Sequence, residues 1–285
     1  MNMQNNLAIR MKKYEGITRI SVPDQSYILM RIDGNAFHTY TKKLKRPFDD
    51  GLIEDMNGTA AHLVEKVQNC IFAYVQSDEI SLLIRVRDYL TSPWFDNDVQ
   101  KMVSVTASLA TSKFNHLRIV RAWNDGCLLN MERFVMAEFD ARVWTLPNRQ
   151  EVFNYFLWRQ KDARRNAISA AAQSVFSAKE LHGVSSAAKI EMLASKGIDW
   201  EDYHYGKKNG RLVEKVTYIN GRPGRILDFV DHKGYFHYDS GEFPDGFSHR
   251  LLGTDVVRSK YDVVKTPVFS DEKEFINGRI PKEEL

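Results

Sequence analysis

The sequence predicts an α+β fold built on a split β-α-β-β-α-β sheet, with a β-rich extension behind it. Three observations predict it. An apolar, β-leaning run stops abruptly at Asp33-Gly34, a long amphipathic segment follows, and two short apolar runs then flank Gln76-Ser77-Asp78-Glu79.

Ser26 to Ile32 reads as a buried central strand. Between residues 49 and 70, Leu52, Ile53, Met56, Ala60, Leu63, Val64 and Val67 recur at helical spacing, with Asp49 and Asp50 as candidate caps. Ile71 to Val75 and Ile80 to Val86 form a hairpin with acidic residues at its tip. A second helix is expected over Val99 to Phe114, and a strand over Val135 to Leu146, centred on Phe139 to Val143. Asn148 and Glu151 have the spacing of a capping box, opening a helix that runs to about Val175. In this arrangement the helices cover one face of the sheet and the other stays open. Ser185 to Lys196 is a short helix, and Asn220-Gly221 and Lys233-Gly234 mark turns between strand-like runs. Residues 1–200 are therefore expected to form the main domain and residues 201–285 a β-rich C-terminal region.

The 285 residues are enough for a substantial core. No run of about 18 apolar residues occurs, so no membrane-spanning helix is expected. The first residues lack the apolar stretch of a secretory signal, so the expected location is cytoplasmic, with no membrane partner. Cys70 and Cys127 are the only cysteines, and neither a disulfide framework nor a zinc site is expected from them. The net charge of +3 permits an anionic partner without requiring one. Two basic clusters stand out: Lys42, Lys43, Lys45 and Arg46, and Arg159, Lys161, Arg164 and Arg165. Each reads by itself first as a solvated helix face, with phosphate contacts as the other reading.

Asp33 leaves the first strand and Asp78 and Glu79 sit at the hairpin tip, edges that the split arrangement makes neighbours. Magnesium takes one or two carboxylates and completes its shell with water and substrate phosphates. Two such ions stabilise the attacking and leaving oxygens of an in-line displacement at phosphorus. Gly34 leaves room for a close approach of backbone or phosphate. The spacing alone leaves another reading open, in which Asp33 caps a helix and Asp78-Glu79 is a polar turn.

The strings themselves are more specific. Arg31-Ile32-Asp33-Gly34-Asn35-Ala36-Phe37-His38 resembles the R-I-D-G-R-x-F-H motif of the tRNA-histidine guanylyltransferase family. Gln76 to Ser81 is similar to its Q-S-D-E-x-S hairpin, Phe139 to Arg142 to its F-D-G-R strand, and Trp158 to Asp162 to its W-R-Q-x-D helix. The resemblance spans roughly the first 200 residues. It implies a polymerase- or cyclase-like palm that adds nucleotides to the 5′ end of tRNA in the 3′–5′ direction, using GTP, ATP or other nucleoside triphosphates. It also implies two Mg²⁺ ions held by Asp33, the Gly34 carbonyl and Asp78, with Glu79 among the catalytic carboxylates. Asp33, Gly34, Asn35, Ala36, Phe37, His38, Ser77 and Asp78 would cradle the triphosphate, with Arg46 where the family usually has Lys. Members assemble as homotetramers. Backbone donors at a helix start and a fixed guanidinium fork suit a triphosphate. His38 has a competing reading as a side chain that merely satisfies its neighbours.

The chain departs from the familiar eukaryotic pattern where H-I-N-N becomes Arg164-Arg165-Asn166-Ala167, and Asn35-Ala36 replaces the usual Arg-Asn. By resemblance this matches bacterial, archaeal and phage-type members, which refill 5′ ends against a template strand. Arg159, Lys161, Arg164 and Arg165 are the expected contacts to the RNA backbone. Two alternatives stand beside this reading: a palm enzyme that joins or cyclises free nucleotides without RNA, and a non-catalytic RNA-binding relative.

Overall fold

A computed structural model of the chain describes residues 3–23, 27–85, 92–126, 135–220, 227–230, 236–237 and 256–282. The central strand β1 (Tyr27–Gly34) lies between β4 (Phe139–Leu146) and β3 (Glu79–Ile84), and β2 (Cys70–Gln76) pairs with the far edge of β3. All these pairs are antiparallel, giving the spatial order β4-β1-β3-β2 of the split arrangement. The α+β class is the expected one. The sheet does not stop at residue 200. β5 (Arg211–Asn220) pairs with β2 through its first half, with β6 (Leu227–Val230) through its second, and along its other edge with β8 (Val256–Val264). A short β7 (Phe236–His237) adds to β6.

Side chains alternate across the strands, so each face of the sheet needs its own cover. Ile28, Met30 and Ile32 of β1 pack with Met56, Ala60 and Leu63 of α3 (Asp50–Lys66) and with Phe114 of α4 (Val99–Asn124). Leu29, Phe72, Tyr74 and Leu83 point the other way. They meet Val152, Phe153 and Phe156 of α5 (Arg149–Gln173), together with Phe269 and Ile276 from the C-terminal segment. The face expected to be open is therefore occupied. The strands carry the reason: β1 and β3 are apolar at consecutive positions rather than at every second one, the pattern of strands buried on both sides.

The helix ends follow local chemistry. Asp49 caps α3, its Oδ1 accepting from the Leu52 amide at 2.7 Å, whereas Asp50 pairs with Lys207 at 2.5 Å. Asn148 caps α5 by accepting from the Glu151 amide at 2.9 Å. The second half of that expected capping box is replaced, because Glu151 Oε1 accepts from Asn154 Nδ2 at 2.9 Å. α4 runs past the expected end at Phe114 to Asn124. Its extra turns are tied to α3 by Arg118 and Arg121, which both donate to the buried carboxylate of Asp55, at 3.0 and 2.8 Å.

α6 (Ser186–Ser195) folds back on the end of α5 around Ile168, Leu193 and Trp200, and α7 (Tyr205–Asn209) leads into β5. α1 (Met3–Glu15) and the single turn α2 (Phe37–Tyr40) complete the helices ahead of α3, and α8 (Lys273–Asn277) lies near the C-terminus. No described helix is long and apolar enough to cross a membrane. Ser26, Val86, Cys127, Gly221 and Lys233-Gly234 lie outside the described residues.

Candidate active site

Asp33 is the penultimate residue of β1 and stands directly across from Glu79 on one side and Asp140 on the other. The β2–β3 turn is Ser77-Asp78, closed by the Gln76–Glu79 pair, with Ser77 in the left-handed region at φ 46°. Partial burial pushes the Asp78 carboxyl above the ordinary carboxylate range, and the facing charge of Asp33 adds to the rise. Its own backbone and the Ser77 hydroxyl pull the other way. Asp78 precedes the residue that stands directly across from Asp33 at this sheet edge. Among the described residues no group of three or more His, Cys, Asp or Glu forms a complete cage for a metal ion. A pair of hard carboxylates is instead the donor set that suits Mg²⁺ when substrate phosphates and water supply the rest.

This charge pair has a measurable consequence. A carboxyl raised in the folded state keeps its proton where the unfolded chain has already lost its own, so its stability contribution falls as pH rises through that interval. Asp78→Asn is therefore expected to raise the metal-free melting temperature at neutral pH by about 2 °C or more, a gain that vanishes near pH ~3. Mg²⁺ should raise the melting temperature of the unaltered protein and leave the Asn variant unmoved. Melting curves at both pH values, with Mg²⁺ and with EDTA, check this. A less stable Asn variant that still responds to Mg²⁺ would remove Asp78 from the pair.

Gly34 turns out to be needed for packing. A Cβ there would lie 2.2 Å from Cδ2 of Phe37. That ring is buried against Tyr40, Phe114 and Phe139, with centroids 4.9, 5.7 and 5.4 Å away. Phe37 is therefore the anchor of the loop, its side chain turned into the core. Asn35, Ala36 and His38 are exposed around it, with Ala36 at φ 49° and the Asn35 amide donating to Glu138 O at 2.8 Å. His38 Nε2 is 3.1 Å from the Thr39 hydroxyl. Arg46 is exposed on the connection before α3.

Glu79 and Arg159 were expected in different roles and are found together. Arg159 reaches down from α5 as a fork, Nε to Glu79 Oε1 at 2.8 Å and Nη2 to Oε2 at 2.6 Å, with Asp162 Oδ2 at 3.0 Å from Nη2. Both residues are buried, Arg159 at 5% exposure and Glu79 at 7%. Burial pushes the Glu79 carboxyl up, and the charges of Arg159 and then Arg31 oppose that rise. Ser81 Oγ continues the network, 3.3 Å from Glu79 Oε1 and 2.8 Å from Tyr155 Oη.

Arg159 is accordingly corrected from an RNA contact to an internal partner of two carboxylates, because it is buried and its Nε and Nη2 donate to Glu79 and Asp162. Of the other three basic residues, Lys161 and Arg165 are exposed, and Arg165 pairs with Asp162. Arg164 is half-buried, 3.4 Å from Asn209 Oδ1 and with its guanidinium carbon 6.0 Å from the centre of the Trp200 ring.

A feature absent from the sequence reading is a cavity of about 140 Å³ beside Ser77. Phe48, Leu52, Ala163, Ala167 and Arg211 line it, along with Gln76, whose buried Oε1 has no partner. Four separate stretches of chain build this cavity, and no local spacing announces it.

A profile of the tRNA-histidine guanylyltransferase family matches residues 8–147. The tRNA(His) guanylyltransferase of Saccharomyces cerevisiae is 30% identical over 213 residues, covering 69% of this chain and 86% of the yeast protein. Among solved structures, a bacterial tRNA(His) guanylyltransferase-like protein in complex with ATP is 31% identical with a TM-score of 0.72, covering 95% of this chain and 97% of the other. Such a protein in complex with GTP is 30% identical with a TM-score of 0.70, covering 96% and 98%. Two aspartates at one sheet edge, the loop seated on Phe37 and similarity over nearly the whole length together place this chain in the tRNA-histidine guanylyltransferase family.

Proposed function

We propose that this chain transfers nucleotides from nucleoside triphosphates to the 5′ end of tRNA, in the 3′–5′ direction and under the direction of the opposite strand. The observation that carries this is the sheet edge at which Asp33 stands across from Glu79, the residue after Asp78, beside the Asn35–His38 loop in a member of this family. The ATP and GTP complexes of bacterial relatives support triphosphates as the substrates.

In this reading Asp33, the Gly34 carbonyl and Asp78 hold two Mg²⁺ ions, which supply charge stabilisation to the oxygens exchanged at phosphorus. Asn35, Ala36, His38, Ser77 and Arg46 surround the triphosphate, and the cavity beside Ser77 takes its base. Phe37 acts only by holding the loop. Glu79, locked by Arg159, positions the hairpin that carries Asp78. Lys161 and Arg165, exposed on α5, and the half-buried Arg164 are the residues left to meet RNA phosphates. Residues 1–200 carry the reacting groups, and residues 201–285 contribute the cavity wall through Arg211. Exposed Leu7, Ile9, Met11 and Tyr14 on α1 and Trp123 on α4 offer apolar surface for assembly as a tetramer.

Template direction follows from the residues standing in place of H-I-N-N. A base pair discriminates among nucleotides without dedicated protein groups, whereas an untemplated G addition needs donors and acceptors built for guanine. The test uses Mg²⁺, labelled triphosphates and four tRNAs that lack the first nucleotide, each with a different base facing the gap. The added nucleotide is expected to be the complement in each case. Addition of G to all four would replace template copying by guanylylation, and products formed from triphosphates alone would shift the function to joining free nucleotides.

A further inference from the structure

Arg211 opens β5 and is buried, with 8% of its surface exposed. Its Nε donates to Asn57 Oδ1 at 2.7 Å and its Nη1 to Gly206 O at 3.0 Å, while Nη2 is shielded from water and has no partner. Burial pushes this guanidinium down to about 10. The one neighbouring group that acts against the shift is the Tyr74 hydroxyl, and no carboxylate does. A buried guanidinium without a counter-charge is costly to keep, and an anion relieves that cost.

The Arg211 side chain belongs to the wall shared by two cavities. One is the small cavity beside Ser77. The other, of about 1030 Å³, lies between the start of α3, α7 and the segment after β8. Tyr205 also lines the larger one, and its buried hydroxyl has no partner either. Four acids stand on that wall. Lys207 neutralises Asp50 at 2.5 Å and Arg121 pairs with Glu54 at 2.9 Å, which leaves Asp271 and Glu272. With Lys265 on the same wall, they oppose the several charges of a polyphosphate more strongly than those of a single phosphate group. Val264, Pro267 and Phe275 give the rest of the wall an apolar character.

We propose that the larger cavity is a second site for a nucleotide unit, its one phosphate held by Arg211 and Tyr205 and its body lying against Val264, Pro267 and Phe275. That the ligand is a nucleotide rests on the proposed function; that it carries a phosphate does not. Its source is either a free nucleoside monophosphate or the terminal nucleotide of an RNA strand.

The test uses the full chain, with inorganic phosphate, GMP, AMP and a trinucleotide as probes, read by melting temperature and by equilibrium dialysis. Phosphate should raise the melting temperature saturably above a NaCl control of equal ionic strength. The monophosphates or the trinucleotide should bind about tenfold tighter than phosphate because they bury apolar surface, and saturating Mg-GTP should not displace them. The tighter of the two organic probes identifies the source. Arg211→Met should weaken binding about tenfold or more, since the buried charge that attracts the anion is gone. Tyr205→Phe, a change with little risk to folding, should weaken it several-fold and carries the test if Arg211→Met does not fold.

The proposal is overturned if phosphate has no saturable effect, if Tyr205→Phe binds as before, or if GTP displaces the monophosphate one for one. Phosphate binding with no gain from a nucleoside removes the nucleotide part. A failure to extend tRNA, by contrast, counts against the proposed function and leaves the phosphate measurements to be read by themselves.

Discussion

Asp78→Ala and Asp33→Ala are each expected to bring nucleotide addition down to background while the protein still folds. Each change removes one of the two carboxylates proposed to hold metal against the reacting phosphates, and with it a share of their charge. A loss of roughly 4 kcal/mol at the transition state corresponds to about a thousandfold in rate. The fold survives because Asp78 occupies a turn and Asp33 lies next to the end of its strand, both only partly buried. Single-turnover assays in Mg²⁺, beside circular dichroism of each variant, separate lost chemistry from lost structure. Near-normal turnover in Asp78→Ala would falsify its assignment as a ligand.

The second large effect belongs to Arg159. Arg159→Met leaves Glu79 buried beside the hairpin turn with its main partner gone, a change that costs about 3–5 kcal/mol of stability. Replacing both members, Arg159→Met with Glu79→Leu, should recover most of that loss, because a packed apolar pair needs no compensation. Activity should stay low in both, since the hairpin carrying Asp78 no longer has its fixed support. Denaturant unfolding of the two singles and the double gives the coupling directly. A single variant as stable as the unaltered protein would mean that the fork contributes little.

Much of this architecture was legible because strands and helices announce themselves through local periodicity. The run ending at Asp33-Gly34, the helix capped by Asp49 and the acidic hairpin were each readable within a few residues of chain. The pairing of Asp33 with the tip of that hairpin followed from topology alone. What local patterns could not carry was side-chain destination. Arg159 and Arg165 look alike as letters, yet one turns inward to Glu79 and the other outward, a difference set by their places on α5 relative to the sheet. Gly34 was read for the space it leaves a ligand, but its space is taken by Phe37, three residues on. The second covered face was readable in principle, since Leu29 and Leu83 sit between apolar neighbours, but a helix far along the chain had to be matched to it. The cavity beside Ser77 and the lone charge of Arg211 depend on four distant segments meeting, and periodicity is silent about such meetings.

The joining of β5 to β2 bears on how the sheet avoids pairing with other chains. Without β5, the outer margin of β2 would present unsatisfied amides and carbonyls beside Phe72, Ala73 and Tyr74, a ready template for another chain. A polypeptide ending near residue 200 would hold both aspartates and yet carry this adhesive border. The C-terminal stretch thus serves as the selvedge of the sheet, finishing a margin that would otherwise catch on its neighbours.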